Sequence, residues 1–299
     1  MKPILVTGAT GNVGREIVKL LHSAGNPVRA AVVSAQDAQR LSAPVPWTIF
    51  DFTDPTTYEA TFVGVEKMFL MRPPHITNIQ RDMQPAITYA GQVGVKHIVF
   101  LSLLGAEKNS FVPHAKVEKL LLAGPTPYTL LRCGFFMQNL STTHRQDIQE
   151  DGDIFIPAGK GKTAFIDVRD IAAAAAKILT EPGHEQKAYP LTGSTAFDYH
   201  EVASLMSQVL GRTIIYSNPS LVRFIWRFWR RGYPLSYVGV IAAIYTTTRL
   251  GMAQTVTPHT RELLGREPIS LEQFICDHAE MWQRKDAPVG TVQLQSQLS

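Results

Sequence analysis

Apolar and polar positions in the first half of the chain follow two alternating periods. Short runs rich in Val, Ile, Leu and Phe occur at Ile4–Thr7, Val28–Val33, Trp47–Asp51, Lys67–Met71, His97–Leu101 and Tyr128–Arg132. They are too short for core helices and too apolar for strands wetted on one side, so they predict strands covered on both faces. Between them, apolar positions recur every three or four residues over Val13–Ala24, Ala35–Leu41, Pro55–Phe62, Asn78–Val93 and Ala115–Ala123, the period of helices with one buried face. Gly25-Asn26 stops the first helix and Gly124-Pro125 the last. Strands alternating with helices predict βαβ units, an α/β fold with a doubly wound parallel sheet.

After about residue 135 the rhythm loosens. A strand at Asp153–Pro157 leads through the Gly159-Lys160-Gly161 turn to Ala164–Ile166. Asp167 and Asp170 open the alanine-rich helix Val168–Leu179, where carboxylates suit unpaired amides and the helix dipole. Lys187–Leu191 reads as a strand, Tyr199–Leu210 as a helix and Thr213–Ser217 as a strand, and from Leu221 the chain is mostly helical. The expected organisation is a nucleotide-binding domain over 1–135 and a smaller, mostly helical substrate subdomain over 136–285, with interleaving into the sheet allowed. A polar tail follows over 286–299.

Composition narrows the classes. Of 299 residues 45% are hydrophobic and 18% charged, enough apolar chain for a sizeable core and too few charges for disorder. Lys plus Arg is 29 against 25 for Asp plus Glu, a net +4 that argues against a nucleic-acid partner. The cysteines, Cys133 and Cys276, make neither a disulfide framework nor a metal cluster. The longest apolar region, Tyr233 to Tyr245, is interrupted by Pro234, Ser236 and Gly239, so no membrane span is expected. With no apolar signal core near the start, the expected location is cytoplasmic.

The most informative segment is Ile4 to Arg15: an apolar strand, a turn with Gly8, Gly11 and Gly14, and a helix with Val13, Ile17, Leu20 and Leu21 on one side. One glycine makes the tight turn, one lets a diphosphate approach the backbone and one permits close helix packing, while the helix amides face the anion. On the first strand of a βαβ run, this predicts a dinucleotide cofactor and a Rossmann-type sheet. The second strand ends Ala31-Val32-Val33-Ser34 with no acid before Asp37, which permits a 2′-phosphate and favours NADP, with NAD possible. Arg15, Arg29 and Arg40 are the nearest cations, each read first as a solvated side chain.

Further segments complete a pattern. Val6 to Gly14 is joined by Gly94-Val95-Lys96-His97-Ile98-Val99-Phe100-Leu101-Ser102 and Pro127-Tyr128-Thr129-Leu130-Leu131-Arg132. Phe135-Phe136-Met137-Gln138-Asn139 and Asp167-Val168-Arg169-Asp170-Ile171-Ala172 follow. In that order, over roughly residues 1–275, the chain resembles the NmrA-like branch of the atypical short-chain dehydrogenase/reductases. That group includes type 2 quinone oxidoreductases, triphenylmethane reductase and isoflavone-reductase relatives. The resemblance implies that Gly8, Thr10, Gly11, Asn12, Val13 and Gly14 hold the diphosphate, Ser34 meets the adenosine ribose, and Asp51 and Phe52 lie beside the adenine. It places Met71, Arg72 and Pro73 at the nicotinamide ribose, with Ser102, Leu103 and Leu104 near the nicotinamide. Phe135, Phe136 and Asn139 would line the substrate pocket.

The Tyr-x-x-x-Lys pair of most short-chain dehydrogenases is missing, since no tyrosine has Lys four residues later. In the corresponding stretch, Phe111 to Lys119, the resemblance sets His114 at the mouth of the nicotinamide crevice, where a histidine gives a proton near neutral pH. Ser102 is the second catalytic candidate, matching the superfamily's substrate-orienting serine. Lys116, Glu118 and Lys119 read as a solvated helix face. Quinones, cationic dyes and activated alkenes need no enzymic acid, because they take hydride and collect a proton from solvent.

Leu221 to Arg231 combines aromatic and basic residues: Leu221, Phe224, Ile225 and Phe228 on one helical face, Arg223, Arg227 and Arg230 on another. A pocket wall, a partner-protein site and an anionic membrane surface all fit this pattern, and the family's habit of covering its site with this segment favours the wall. The leading expectation is an NAD(P)H-dependent reductase that passes hydride to a quinone-like or other conjugated apolar or aromatic small molecule, working as monomer or homodimer. The alternative is a non-catalytic NAD(P)-binding redox sensor that regulates a protein partner.

Overall fold

The computed structural model describes residues 2–283, so the expected polar tail over 286–299 lies outside the described residues. In chain order the strands are β1 (Ile4–Val6), β2 (Val28–Val32), β3 (Trp47–Ile49), β4 (Lys67–Leu70), β5 (His97–Leu103), β6 (Tyr128–Cys133), β7 (Phe135–Phe136), β8 (Thr163–Ile166), β9 (Lys187–Leu191) and β10 (Ala196–Phe197). The helices are α1 (Asn12–Ser23), α2 (Ala35–Ala38), α3 (Tyr58–Phe62), α4 (Ile79–Asp82), α5 (Gln84–Gln92), α6 (Pro113–Ala123) and α7 (Gln138–Ser141), then α8 (Val168–Thr180), α9 (Tyr199–Leu210), α10 (Leu221–Arg230), α11 (Leu235–Arg249), α12 (His259–Leu264) and α13 (Leu271–Asp277).

Seven strands form one parallel sheet in the order β3-β2-β1-β4-β5-β6-β9. The order reverses between β1 and β4, the switch point where open α/β sheets place ligands. Alternation along β5 divides the core: Val99 and Leu101 face α1 and α8, whereas Ile98 and Phe100 face α3, α5 and α6. Ala172, Ala174 and Ala175 keep α8 narrow enough to pack directly on α1. Asp167 caps α8 by accepting from the Arg169 amide at 2.8 Å and is itself held by the Gln138 carboxamide at 3.0 Å.

The chain divides into two compact units. Among the described residues the first comprises 2–138, Thr163–Ala196 and Ala253–Ser270 and contains the large sheet; the second comprises Asn139–Lys162, Phe197–Met252 and 271–283. Within the second, Asp147 is fully buried and binds Arg227 at 2.8 Å and Arg231 at 2.9 Å, with the Arg227 guanidinium 3.5 Å from the centre of the Phe155 ring. Phe224, Phe228, Tyr245 and His144 pack around this pair, and the His144 ring is hydrogen-bonded to the Tyr245 hydroxyl.

Several expected elements differ. Asp153–Pro157 and Thr213–Ser217 lie side by side but make only an isolated parallel bridge, Asp153 with Ile215, rather than strands. Gly152 turns the chain there at φ +66°, Asp153 uses its carboxylate on the Ser217 amide, and Pro157 has no N–H to donate. The expected helix Asn78–Val93 is split at Met83 because Pro85, at the start of α5, removes a ladder donor. Pro113 lets α6 start two residues earlier than its apolar period predicts, which places His114 in the first turn.

Candidate active site

The glycine loop follows β1 directly. Gly8 adopts φ +62°, and a side chain there would come within 2.3 Å of Met71 Cε. A Cβ on Gly14 would lie 2.1 Å from the Gly8 carbonyl oxygen, so α1 packs on the turn only without one. Gly11 starts α1, accepts no side-chain cap and leaves the first turn without an acidic residue. A twelve-residue helix with uncapped amides behind a side-chain-free turn fits a dinucleotide diphosphate. Val13 contributes its backbone alone, because its side chain is in the core; Thr10 is half-buried and Asn12 exposed. Thr7 braces the loop, its hydroxyl donating to the Phe69 carbonyl at 3.0 Å and accepting from the Met71 amide at 2.8 Å.

At the end of β2, Ser34 caps α2 and donates its hydroxyl to Asp37 at 2.9 Å, while Asp37 pairs with the exposed Arg40 at 3.2 Å. Arg29 is not a free cation: it donates to the carbonyls of Thr61 at 2.9 Å and Val63 at 2.8 Å, capping the end of α3. Beyond β3, exposed Asp51 receives the Thr53 amide, and buried Phe52 packs edge-on to Phe50.

The carboxyl ends of β4 and β5 carry the acid–base candidates. Arg72 donates to the carbonyls of Pro73 at 2.8 Å, Pro74 at 3.1 Å and Ile76 at 2.7 Å, pinning the loop after β4. Its Nε, like His114 Nδ1, is buried without a partner. Two unpartnered nitrogens at this edge of the sheet fit a site completed by a ligand's polar groups. His114 rests on Phe100, its ring centre 6.1 Å away. Burial, aided by the Arg72 charge, holds its pKa down to about 3, so the imidazole is neutral across the physiological range. Desolvation and a neighbouring cation both oppose the charged form that a proton donor near neutral pH requires.

For Glu118 the expectation is corrected. It is 4% exposed, not part of a solvated face. Four residues after His114, it lies on the same side of α6 and accepts the Ser102 hydroxyl at 2.5 Å. The β5–β6 register sets Arg132 beside Ser102, and its guanidinium grips Glu118 at 2.7 and 3.1 Å with Glu107 3.5 Å away. Glu118 in turn holds the Arg132 proton more tightly than usual. Ser102, buried at 1% exposure, thus has its proton committed to Glu118 and its lone pairs left to accept. Two signals pointed to this triad: a charged residue ending an apolar strand, and a carboxylate beside the apolar Val117.

Leu103 is exposed beyond Ser102. Phe135 and Phe136, half-buried on β7, pair with Phe165 and Ile166 of β8 in the first unit, whereas Asn139 opens the second unit. Among the described residues there is no cluster able to hold a metal and no helix long and apolar enough to cross a membrane.

Comparison with known proteins matches the NmrA-like family to residues 1–274. The NAD(P)H azoreductase of Xenophilus azovorans is 35% identical over 282 residues, covering 92% of this chain and 98% of that protein. Among solved structures, Citrobacter sp. triphenylmethane reductase complexed with NADP(H) superposes with a TM-score of 0.81 at 27% identity, covering 93% and 99% of the two chains. The NADPH-dependent quinone oxidoreductase of Escherichia coli complexed with NADPH gives 0.80 at 28% identity over 92% and 99%.

Proposed function

The chain belongs to the NmrA-like family and is an NAD(P)H-dependent oxidoreductase of the atypical short-chain type, and from that premise we propose that it reduces conjugated, electron-poor small molecules such as quinones and azo dyes. The bound nicotinamide supplies the hydride. The chain's own residues orient the reactants, exclude water and hold charge in place.

The observation that carries this reading is the proton inventory at the ends of β4 and β5. His114 stays neutral, Ser102 has its proton on Glu118, and Arg72 is pinned to three carbonyls. None of the three gives up a proton readily, which suits acceptors that need none from the protein: a cationic dye is neutral once it takes hydride, and a quinone becomes a stabilised hydroquinone anion that solvent protonates. Gly8, Thr10, Gly11, Asn12, Val13 and Gly14 hold the diphosphate, with Ser34, Asp51 and Phe52 along the adenosine and Met71, Arg72, Pro73 and Leu103 along the nicotinamide half. Phe135 and Phe136 meet the acceptor. His114 acts as a neutral imidazole at the crevice, and Ser102, fixed by Glu118 and Arg132, accepts a hydrogen bond there.

NADPH is the preferred donor and NADH is also used. No carboxylate ends β2, and the exposed Arg40 guanidinium beside Asp37 is the cation within the α2 turn. Both superposed enzymes carry a 2′-phosphorylated cofactor.

The test is loss of 340 nm absorbance from NADPH and from NADH with purified protein and a panel of naphthoquinones, azo dyes, triphenylmethane dyes and enones. Turnover with the conjugated acceptors, quinones and dyes foremost, is expected. Turnover of an added simple, unconjugated ketone in their place would overturn the acceptor class, and cofactor binding without turnover on the whole panel would favour the sensor.

A further inference from the structure

The redox reading leaves one surface of the second unit unused. Between Val202 and Met252 the chain contains no Asp or Glu but six arginines. Four are engaged or lie apart from the exposed face: Arg212 donates to the carbonyls of Ile148 and Trp282, Arg227 and Arg231 bind Asp147, and Arg249 ends α11. Arg223 and Arg230 of α10 have no ion pair among the described residues.

The exposed side of α10 is apolar as well as basic. Val222, Trp226 and Trp229 are 76%, 54% and 55% exposed. At about 100° per residue they fall within one narrow arc, with Arg223 and Arg230 together along one edge. The Arg230 guanidinium lies 5.0 Å from the Trp226 ring centre. On α11, which packs against α10, no charge occurs from Leu235 to Thr248, although Val240 and Ile244 are exposed. An uncharged face of that length beside paired tryptophans is not a surface built for water alone.

We propose that this face of α10 and α11 docks on an anionic phospholipid bilayer. Tryptophan rings settle at the headgroup level, arginines meet lipid phosphates, and the uncharged side of α11 lies against the acyl boundary. Charge complementarity selects this occupant over a second copy of the chain, which would set Arg223 and Arg230 against cations of the same sign. The helices lie on the surface and do not span, since neither is long and apolar enough to cross. The inference does not depend on the redox reading, because lipid binding is measured without cofactor or acceptor.

The experiment is sedimentation of the full-length protein with vesicles of phosphatidylcholine alone and of phosphatidylcholine with phosphatidylglycerol, with tryptophan emission followed in parallel. Binding and a blue shift with the anionic vesicles only, both reversed by salt, are expected. R223E/R230E should weaken partitioning on the order of thirtyfold, R223K/R230K should retain it, and W226S/W229S should abolish the blue shift. Melting temperatures report whether each variant folds; if the glutamate variant does not, the salt titration and the tryptophan variant decide. Failure of the parent to sediment with anionic vesicles, or undiminished binding by the folded variants, would overturn the proposal. So would dissociation of an oligomer by W226S/W229S, which would make the face an interface between copies.

Discussion

Two of the carboxylates buried against arginine in this molecule, Asp147 and Glu118, have different consequences. Asp147 in the second unit gives both oxygens to Arg227 and Arg231, which ties α10 to the Asp147–Asp151 turn. Glu118 in the first unit is gripped by Arg132 yet also accepts the Ser102 hydroxyl near the carboxyl end of β5, beside the proposed cofactor site. The same ion-pair chemistry therefore anchors structure in one place and fixes the direction of a hydroxyl proton in the other.

The largest expected effect of breaking this comparison is on stability. Asp147→Ala leaves two part-buried guanidinium groups with only the half-exposed Asp151, at 3.4 and 3.9 Å, and should cost about 3 kcal/mol, read from the shift in urea midpoint. Glu118→Gln keeps an acceptor for Ser102 and leaves Glu107 near Arg132, so it should cost less, about 1 kcal/mol. Its turnover with a quinone should nevertheless fall about tenfold with NADPH affinity unchanged, because a neutral carboxamide holds the Ser102 proton less firmly and can also donate to its oxygen. Equal loss of cofactor affinity would make Glu118 a folding residue like Asp147.

Acid sharpens the contrast next. Burial lowers His144 and His97 to about 4 and His114 to about 3. In the unfolded chain these rings take up protons near pH 6.5, but in the folded protein they do not until their lowered values are reached. Stability should therefore be full above about pH 7 and decline as pH falls towards 4, by about 1 kcal/mol per unit for each ring; Asp170, raised by its own burial, offsets a little. Urea midpoints at stepped pH check this, and His144→Gln should flatten the slope. The smallest expected effect is at the cofactor's far end: Arg40→Ala should raise KM for NADPH about fivefold and leave KM for NADH unchanged.

The sheet was legible because its strands are continuous apolar runs, and the glycine loop because the glycines at 8 and 14 answer steric demands that no other residue meets. The proton chemistry was not. Whether His114 is charged depends on the burial that Pro113 brings by starting α6 early, and on Arg72 from another strand. Glu118 between two lysines looks solvated until the β5–β6 register sets Arg132 beside Ser102. In α10 the expected apolar face was half right: Phe224 and Phe228 are buried, whereas Leu221 is exposed and Arg227 lies over Phe155. Tertiary partners decided these positions, and spacing alone does not name partners.

The central claim is that hydride transfer here proceeds without an ionising acid from the protein. The measurement that tests it most directly is the pH dependence of kcat with a naphthoquinone and NADPH deuterated at the transferred position, between about pH 5.5 and 8. The account expects a primary isotope effect throughout and a flat profile, unchanged in His114→Ala. A limb near pH 6.5 that disappears in His114→Ala would show that the imidazole does titrate in the working enzyme and would contradict it.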